Sequence, residues 1–282
     1  MQNANINLSN TNLSNKSPLR YPGGKTRACK KLDQIVSQYF DMQQIQLFAS
    51  PFFGGGSFEF YLQNKYKIPV KANDKFTPLY NFWQQAKTNK AKLCQKIAKL
   101  KPVSKEQFQQ YRDQIMSLNG NPLLQATYYF VINRSSFSGA TLSGGFSKKA
   151  AEKRFTKSSI DRVSKLNLNY MDFENSDYYI FFQYYLDRND VLMFLDPPYY
   201  LEKKSKLYGK DGNMHSDFNH FRLFNRLNQD TNTIKKWIMT YNDCKYIRDL
   251  YKDTNKYTIL DVNWSYGMNK SKNSSEIVII KI

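Results

Sequence analysis

A continuous apolar run, Val191–Leu195, leads directly into Asp196-Pro197-Pro198-Tyr199. Such a run predicts a strand that is buried on both faces, as in a parallel sheet covered by helices. Two consecutive prolines fix φ at about −65° and remove two backbone donors, so the turn after the strand must be stiff. Ligands bind outside the carboxyl ends of strands in open α/β sheets. The tetrapeptide therefore predicts a site at the end of a buried strand.

The first third of the chain has the order of elements that forms half of a doubly wound sheet. A glycine-rich turn, Gly54 to Gly56, follows the first apolar run, and Ser57 is a suitable N-cap for the next helix. Asn73 and Asp74 follow the second run. Apolar spacing predicts a helix over 27–40 and strands over 45–49 and 68–72.

The last third returns to the same α/β pattern. We expect its final two strands to form an antiparallel pair at the edge of the sheet, because the segment between them is short. Asn242 and Asp243 follow the strand before that pair. The predicted elements are a helix over 217–227 and strands over 237–241, 257–262 and 276–280.

The middle third is strongly basic. Residues 90–165 contain 15 Lys and Arg but only 4 Asp and Glu, and the whole chain has a formal net charge of +19. A polyanion such as nucleic acid is the leading partner, ahead of an anionic membrane surface or a solvated surface with no partner. We predict a target-recognition, DNA-binding insert over 86–185, built for contact rather than for the core. A catalytic domain would comprise 17–85 and 186–282, after a disordered arm over 1–16.

Within the insert, a helix over 123–132 leads into Asn133-Arg134, and residues 141–146 read as a hairpin or an exposed loop. Arg134, Ser138, Lys148 and Lys149 are candidate DNA contacts.

Cysteine and histidine usage indicates a reducing, intracellular and cytoplasmic setting. Three widely spaced cysteines form no C-x-x-C pair, and their odd number argues against a disulfide framework. His215 and His220 make a poor zinc set, so surface positions are expected and no metal is predicted. We also expect no signal peptide and no membrane anchor, since no apolar run is long enough.

The proline turn suits a planar amine as its ligand. The Asp196 carboxylate and nearby backbone carbonyls are rigid acceptors for N–H groups. Two such bonds would favour a more tetrahedral amine nitrogen and expose its lone pair. Tyr199 would offer a ring on which a flipped base could stack, which offsets the cost of unstacking. The simpler alternative is an ordinary turn, since Asp and Pro are common turn residues.

Two glycine-containing segments are candidate cofactor loops. The turn at Gly54 and Gly56 lacks the third glycine of the dinucleotide fingerprint, because Glu59 stands there, which argues against NAD. Asp74 lies where a ribose is usually bound, although a helix cap is the alternative. The segment Arg20-Tyr21-Pro22-Gly23-Gly24-Lys25 matches only the tail of a phosphate loop, so a lysine near a cofactor carboxylate is the other option.

In this order, these segments resemble the alpha-class DNA adenine N6-methyltransferases, the Dam-like family. The resemblance covers residues 17–282 and is most specific at Asp196–Tyr199. It implies a Rossmann-like methyltransferase sheet, S-adenosyl-L-methionine as cofactor and double-stranded DNA as substrate. A cognate restriction endonuclease is a further partner that it suggests.

The resemblance also implies the role of each site residue. The catalytic residues would be Asp196, Pro197, Pro198 and Tyr199. The cofactor-binding residues would be Tyr21, Lys25, Phe52, Gly54, Gly56, Asp74 and Asp196. The DNA-binding residues would be Asn133, Arg134, Ser138, Lys148 and Lys149. One position departs from the family, because Ser50 stands where an acid usually precedes Pro-Phe, and a serine supplies no charge.

Several functions stay open at this point. The same turn serves cytosine N4 methylation, and the targets of RNA and protein-amide methyltransferases are also planar amines. A noncatalytic DNA-binding protein with a decayed cofactor pocket is the alternative outside the enzymes. The order of the motifs and the basic insert favour adenine in duplex DNA, methylated by in-line transfer and mostly by positioning and fixed dipoles.

Overall fold

The computed structural model describes residues 14–118, 120–200, 218–265 and 273–282, without the side chains of 264, 265, 273 and 274. Seven strands form one sheet in the order β3-β2-β1-β4-β5-β7-β6. The strands are β1 (Leu47–Ser50), β2 (Val70–Asn73), β3 (Met171–Glu174), β4 (Val191–Leu195), β5 (Lys236–Asn242), β6 (Thr258–Ser265) and β7 (Asn273–Lys281).

The sheet is doubly wound and mixed. Strands β1 to β5 pair in parallel, and the chain order reverses between the neighbours β1 and β4. Strand β7 runs antiparallel between β5 and β6. The predicted antiparallel pair is therefore confirmed. The proline turn follows β4 at the topological switch point, which is where open α/β sheets bind ligands.

Helices cover both faces of this sheet. On β1, Phe48 packs into one core with α1 and α2, whereas Ala49 packs into a second core with α9 and α10. The helices are α1 (Cys29–Tyr39), α2 (Ser57–Tyr66), α3 (Thr77–Thr88), α4 (Lys90–Lys99), α5 (Lys105–Gln114), α6 (Pro122–Ser135), α7 (Lys148–Lys153), α8 (Lys157–Ser164), α9 (Tyr178–Phe182), α10 (His220–Leu227) and α11 (Lys245–Leu250).

The predicted insert, 86–185, differs from the structure in two ways. Strand β3 lies inside this range and pairs with β2, so it belongs to the sheet. Phe108, Phe130 and Phe155 are buried in the same core as the sheet residue Phe48. The helices α4 to α8 therefore contribute to the core as well as to the surface, because their apolar stripes pack inward.

The predicted arm over 1–16 is too long. Asn15 is buried, and its side-chain amide donates to the Asn167 carbonyl over 2.6 Å, while its Oδ1 accepts from the Asn167 backbone over 2.8 Å. Residues 1–13 lie outside the described part of the chain, as do His215 and Asp217. His220 is half-buried rather than on the surface, with Nδ1 2.6 Å from the Tyr241 hydroxyl.

Among the described residues, no helix combines the length and the apolar character needed to cross a membrane.

Candidate active site

A buried lysine connects the start of the chain to the proline turn. Lys25 Nζ donates to both oxygens of Asp196, over 2.7 and 2.9 Å, and to the Gly23 carbonyl over 3.0 Å. Its side chain is 3% exposed, against 23% for Asp196. Thr240 Oγ1 donates to Asp196 Oδ1 over 2.6 Å. The carboxylate thus has a fixed orientation, and Lys25 contacts Asp196 directly, whereas the sequence predicted that it holds the cofactor.

The register of the sheet explains why Thr240 reaches Asp196. Leu195 pairs with Met239 across β4 and β5, so the next residue on each strand is Asp196 and Thr240. Neighbouring strands are about 4.8 Å apart, which lets two side chains on the same face form a hydrogen bond.

The ring of Tyr199 is held by the antiparallel strand. Its hydroxyl donates to Glu276 Oε2 over 2.7 Å, and Glu276 on β7 is 2% exposed. Burial and the nearby Asp196 and Glu276 carboxylates raise the pKa of Tyr199 well above its usual value, so the phenol stays neutral. The Lys25 ammonium lies 5.0 Å from the centroid of the ring.

Both glycines in question make room for aromatic side chains. Gly54 has φ +50°, and a Cβ there would lie 2.8 Å from the Tyr21 ring. Gly56 has φ +65°, and a Cβ there would lie 2.3 Å from the Phe53 ring. Gly56, not Ser57, is the N-cap residue of α2. Tyr21 thus packs on the turn that the sequence predicted to hold a cofactor.

The acid after β2 fixes the same turn. Asp74 Oδ2 accepts from the Gly54 backbone over 3.0 Å, and Oδ1 accepts from the Phe76 backbone over 2.9 Å. Burial raises the pKa of Asp74 to about 6. Phe52 lies on the other side of the sheet, with its ring centroid 5.4 Å from that of Tyr178.

A second acid is buried next to the glycine turn. Ser50 Oγ donates to Glu59 Oε1 over 2.6 Å, and the two residues are 1% and 3% exposed. The pKa of Glu59 is raised to about 7, because burial and the nearby Asp196 raise it more than the Ser50 hydrogen bond and Lys25 lower it. An acid is therefore present near position 50 after all, although it comes from α2.

Asn133 is placed inside the molecule. It is fully buried, and its amide pairs with the Arg20 backbone, accepting over 3.0 Å and donating over 2.6 Å. It also donates to the Gly139 carbonyl over 3.2 Å. This placement argues against the predicted base contact, because the carboxamide already has protein partners. Asn133 instead ties the segment that leads to Lys25 to the loop after α6.

Arg134 is also buried, and among the described residues its side chain forms hydrogen bonds to backbone carbonyls. Its guanidinium donates to Arg154 O over 2.6 and 2.9 Å and to Pro18 O over 3.2 Å. Burial and the nearby Arg162, Arg20 and Arg154 lower its pKa to about 10. The structure thus gathers four arginines, and none of them has a salt-bridge partner in the described ranges.

The segment after α6 is only partly exposed. Thr141 and Leu142 are buried in a short 3-10 turn, and a single bridge joins Ser136 to Phe146, so the predicted exposed loop is wrong there. Ser138 is half-buried with φ +53°. Phe137, which the sequence did not single out, is 71% exposed. Lys148 and Lys149 are exposed at the start of α7.

In the described ranges, no three His, Cys, Asp or Glu side chains lie together in a way that would hold a metal ion.

The strand order and the proline turn at its switch point define a Rossmann-like α/β protein with a polar site after β4. The sequence profile of the D12 class N6 adenine-specific DNA methyltransferases matches residues 21–268 of this chain. The chain therefore belongs to that family, and it is an enzyme that methylates adenine in DNA.

Two solved structures match this chain along most of its length, at low sequence identity. One is described as "Putative methyltransferase yhhF from Escherichia coli", with 9% identity over 93% of this chain and 90% of that chain and a TM-score of 0.36. The other is described as "putative methylase HI0767 from Haemophilus influenzae", with 11% identity over 90% of this chain and 88% of that chain and a TM-score of 0.35. A search of curated proteins gave no match.

We expect Glu59→Gln to change the pH dependence of stability. The pKa of Glu59 is about 7 in the folded protein, against about 4.3 for a glutamate in an unfolded chain. The folded state therefore holds the extra proton between these values, and the free energy of unfolding falls as pH rises through this window. Glu59→Gln has no proton to lose at this position, so its free energy of unfolding should not fall in this window. The difference in free energy of unfolding between the variant and the wild type should therefore increase by roughly 3 kcal/mol from acid to neutral pH.

Urea unfolding at several pH values between about 4 and about 8 measures this difference. The exposed Glu152→Gln on α7 is the matched control and should show no such trend. A gap between wild type and Glu59→Gln that is constant across the pH range would contradict the assignment.

Proposed function

We propose that this methyltransferase uses S-adenosylmethionine to methylate a flipped-out adenine in duplex DNA at the proline turn after β4. The observation that carries the proposal is the fixed Asp196 carboxylate, held by Lys25 and Thr240 at the switch point of the sheet. A rigid acceptor of this kind suits an exocyclic amine, which is a planar pair of N–H donors.

The residues present fit such a cofactor by their chemistry. Asp74 is held by two backbone N–H groups, and each of its oxygens keeps a lone pair for a ribose hydroxyl. The turn at Gly54 and Gly56, with Tyr21 and Phe52 beside it, would enclose the rest of the molecule. When bound, S-adenosylmethionine supplies a methyl group on a positively charged sulfur.

Asp196 would orient the amine of the target. Its Oδ1 accepts from both Lys25 and Thr240, whereas Oδ2 accepts from Lys25. We therefore assign the N6 amine to Oδ2, with the Pro197 carbonyl as the second acceptor. Two such bonds draw the nitrogen toward a tetrahedral geometry and localise its lone pair. The lone pair would bond to the methyl group as the bond from that group to sulfur breaks, and the strongly acidic ammonium that results would then lose one proton to the solvent.

Tyr199 would support the flipped base from its face. The hydrogen bond to Glu276 fixes the ring, so little side-chain entropy is lost when a base stacks on it. Stacking of this kind offsets part of the cost of removing the adenine from the duplex. Pro198 keeps the ring close to Asp196 by stiffening the turn between them.

We expect Asp196→Ala to abolish methylation and to leave cofactor binding largely intact. The variant removes the acceptor for the amine, while Asp74 and the glycine turn stay in place. The rate of methyl transfer should fall by about 100-fold or more, as when a preorganised dipole is removed.

The assay is mass analysis of nucleosides from methylated duplex DNA, which also distinguishes N6-methyladenine from N4-methylcytosine. Calorimetry with S-adenosylhomocysteine measures binding, and Glu152→Gln is the control. Full methylation by Asp196→Ala would refute the role of this carboxylate.

Arg20, Arg154 and Arg162, which lie around the buried Arg134, would grip the DNA backbone. Burial is the main cause of the lowered pKa of Arg134, and repulsion from the neighbouring arginines lowers that pKa further. A phosphate bound between them would relieve that repulsion and displace counterions from DNA. Lys148 and Lys149, exposed at the start of α7, and the half-buried Ser138 would add further contacts on the same insert.

We expect Arg162→Ala to weaken DNA binding and its dependence on salt. Each phosphate contact contributes about one unit to the slope of log K against log salt, so this slope should fall by about one. Fluorescence anisotropy of a labelled duplex at several salt concentrations measures it. Lys31→Ala, an exposed cation on α1, is the matched control. An unchanged slope in Arg162→Ala would exclude this residue from the grip.

Phe137 would act as a wedge in the duplex. Its ring is 71% exposed and follows the bridge that Ser136 makes with Phe146, so it is an apolar group on a fixed support. Apolar wedges inserted between base steps keep a kinked or unstacked duplex open. In this position the ring would fill the space that the adenine leaves.

We expect Phe137→Ala to lower the methylation rate about tenfold on a matched duplex, because the flipped state loses its support. On a duplex whose target adenine faces an abasic site, flipping is cheaper and the loss should be much smaller. Single-turnover rates on the two duplexes give the ratio. Equal losses on both substrates would argue against a wedge.

A partner endonuclease stays a prediction of the family resemblance.

A further inference from the structure

A buried acid lies beside the residue that begins the glycine turn. Glu59, near the start of α2, is 3% exposed, and its hydrogen-bond partner is the hydroxyl of Ser50, which is 1% exposed. Desolvating an ionised carboxylate next to a neutral hydroxyl costs roughly several kcal/mol of folding free energy, unless a positive charge compensates it. Such a costly group near the carboxyl end of β1 indicates a functional role.

The charge count around this acid is unbalanced. Lys25 is the cation close enough to lower the pKa of Glu59, but its ammonium is already bonded to Asp196. With both acids ionised, the one positive charge of Lys25 and the two negative charges of Asp196 and Glu59 give a net charge of −1. Cys29 of α1 also faces Glu59, but burial raises the pKa of its thiol to about 12, so it adds no charge. Among the described residues, Lys25, Asp196 and Glu59 therefore leave one spare negative charge.

We propose that Glu59, acting through Ser50, supplies the negative charge that balances the α-ammonium of S-adenosylmethionine. This inference rests on the proposed function. The methionine part of that molecule carries an ammonium, a carboxylate and a sulfonium, so its net charge is positive and matches the spare charge. Ser50 donates a hydrogen bond to Glu59. This bond increases the electron density on the Ser50 oxygen, whose lone pairs can accept from the α-ammonium.

The negative charge that position 50 lacks is supplied by Glu59 in this proposal. Position 50 begins the Pro-Phe-Phe-Gly turn and has a hydroxyl in place of a carboxylate. Glu59 restores the charge from the neighbouring helix, where the helix N-terminus also favours an anion. Because both side chains are screened from water, the charge acts at a low effective dielectric constant. Glu59 is thus a positioning residue that acts through Ser50.

Two ligands separate this role from a general loss of structure. S-adenosylhomocysteine retains the α-ammonium, whereas 5′-methylthioadenosine lacks the whole amino-acid part. In calorimetry near pH 8, Glu59→Gln should weaken the first by about tenfold or more, as for one charge-assisted bond. It should change the second by less than about twofold, and Glu152→Gln should change neither.

A rescue variant makes the test specific. Adding Ser50→Asp to Glu59→Gln returns a carboxylate to the turn, and the amide of the new glutamine can donate to it. Affinity for S-adenosylhomocysteine should return to within about threefold of the wild type, with no change for 5′-methylthioadenosine. A purely structural role for Glu59 would not predict this recovery.

Should Glu59→Gln fail to fold, Ser50→Ala gives the same information. Without the hydroxyl, the link between Glu59 and the α-ammonium is lost, so affinity for S-adenosylhomocysteine should fall by about tenfold near pH 8, while affinity for 5′-methylthioadenosine should change by less than about twofold. A Glu59→Gln protein that binds both ligands like the wild type, or loses both equally, overturns the inference. The proposed function survives that result if the wild type still methylates adenine. A wild type that binds neither ligand would refute both.

Discussion

The buried ion pair between Lys25 and Asp196 is the interaction on which the site depends. It connects a segment before α1 to the end of β4, 171 positions apart in the sequence. Removing one partner of a buried pair leaves an uncompensated charge and typically costs about 3–5 kcal/mol. The bonds to Gly23 and Thr240 hold Lys25 and Oδ1 of Asp196 in one geometry before any substrate arrives, while Oδ2 accepts only from Lys25 among the described residues.

The same N-terminal segment connects the site to the helical insert. Asn133 binds both backbone groups of Arg20, and a Cβ on Gly139 would lie 2.5 Å from the Arg20 carbonyl. A movement of the loop after α6 would therefore shift the segment that carries Lys25. The loop holds Phe137, which is the group proposed to meet DNA. A short stretch of backbone thus connects the loop that carries Phe137 to the lysine that orients Asp196.

Much of the fold could be predicted from the sequence, because strong local patterns determine it. The buried run of β4 and the order of strand, glycine turn, helix and strand were sufficient to predict a doubly wound sheet. The residues that the sequence did not reveal depend on long-range register. Thr240 and Glu276 reach the site only because β5 aligns beside β4 and β7 aligns beside β5, and no local pattern marks them.

Burial was the other quantity that the sequence could not supply. Asn133 and Arg134 look like surface contacts because both are polar and lie near lysines, yet both are buried against backbone. The basic helices of the insert likewise carry apolar stripes that pack into the same core as one face of the sheet. Glu59 gave one signal in advance, since it occupies the position of an expected glycine, but only the fold places it beside Ser50.

The position of β7 in the sheet has a consequence for how the enzyme is made. Tyr199 receives its hydrogen-bond partner from Glu276, which is 77 positions later in the sequence. A ribosome adds residues in sequence order, so the proline turn emerges well before the strand that holds its ring. Chains whose synthesis stops before residue 276 would lack that hydrogen bond to Tyr199. Such chains would therefore methylate DNA poorly.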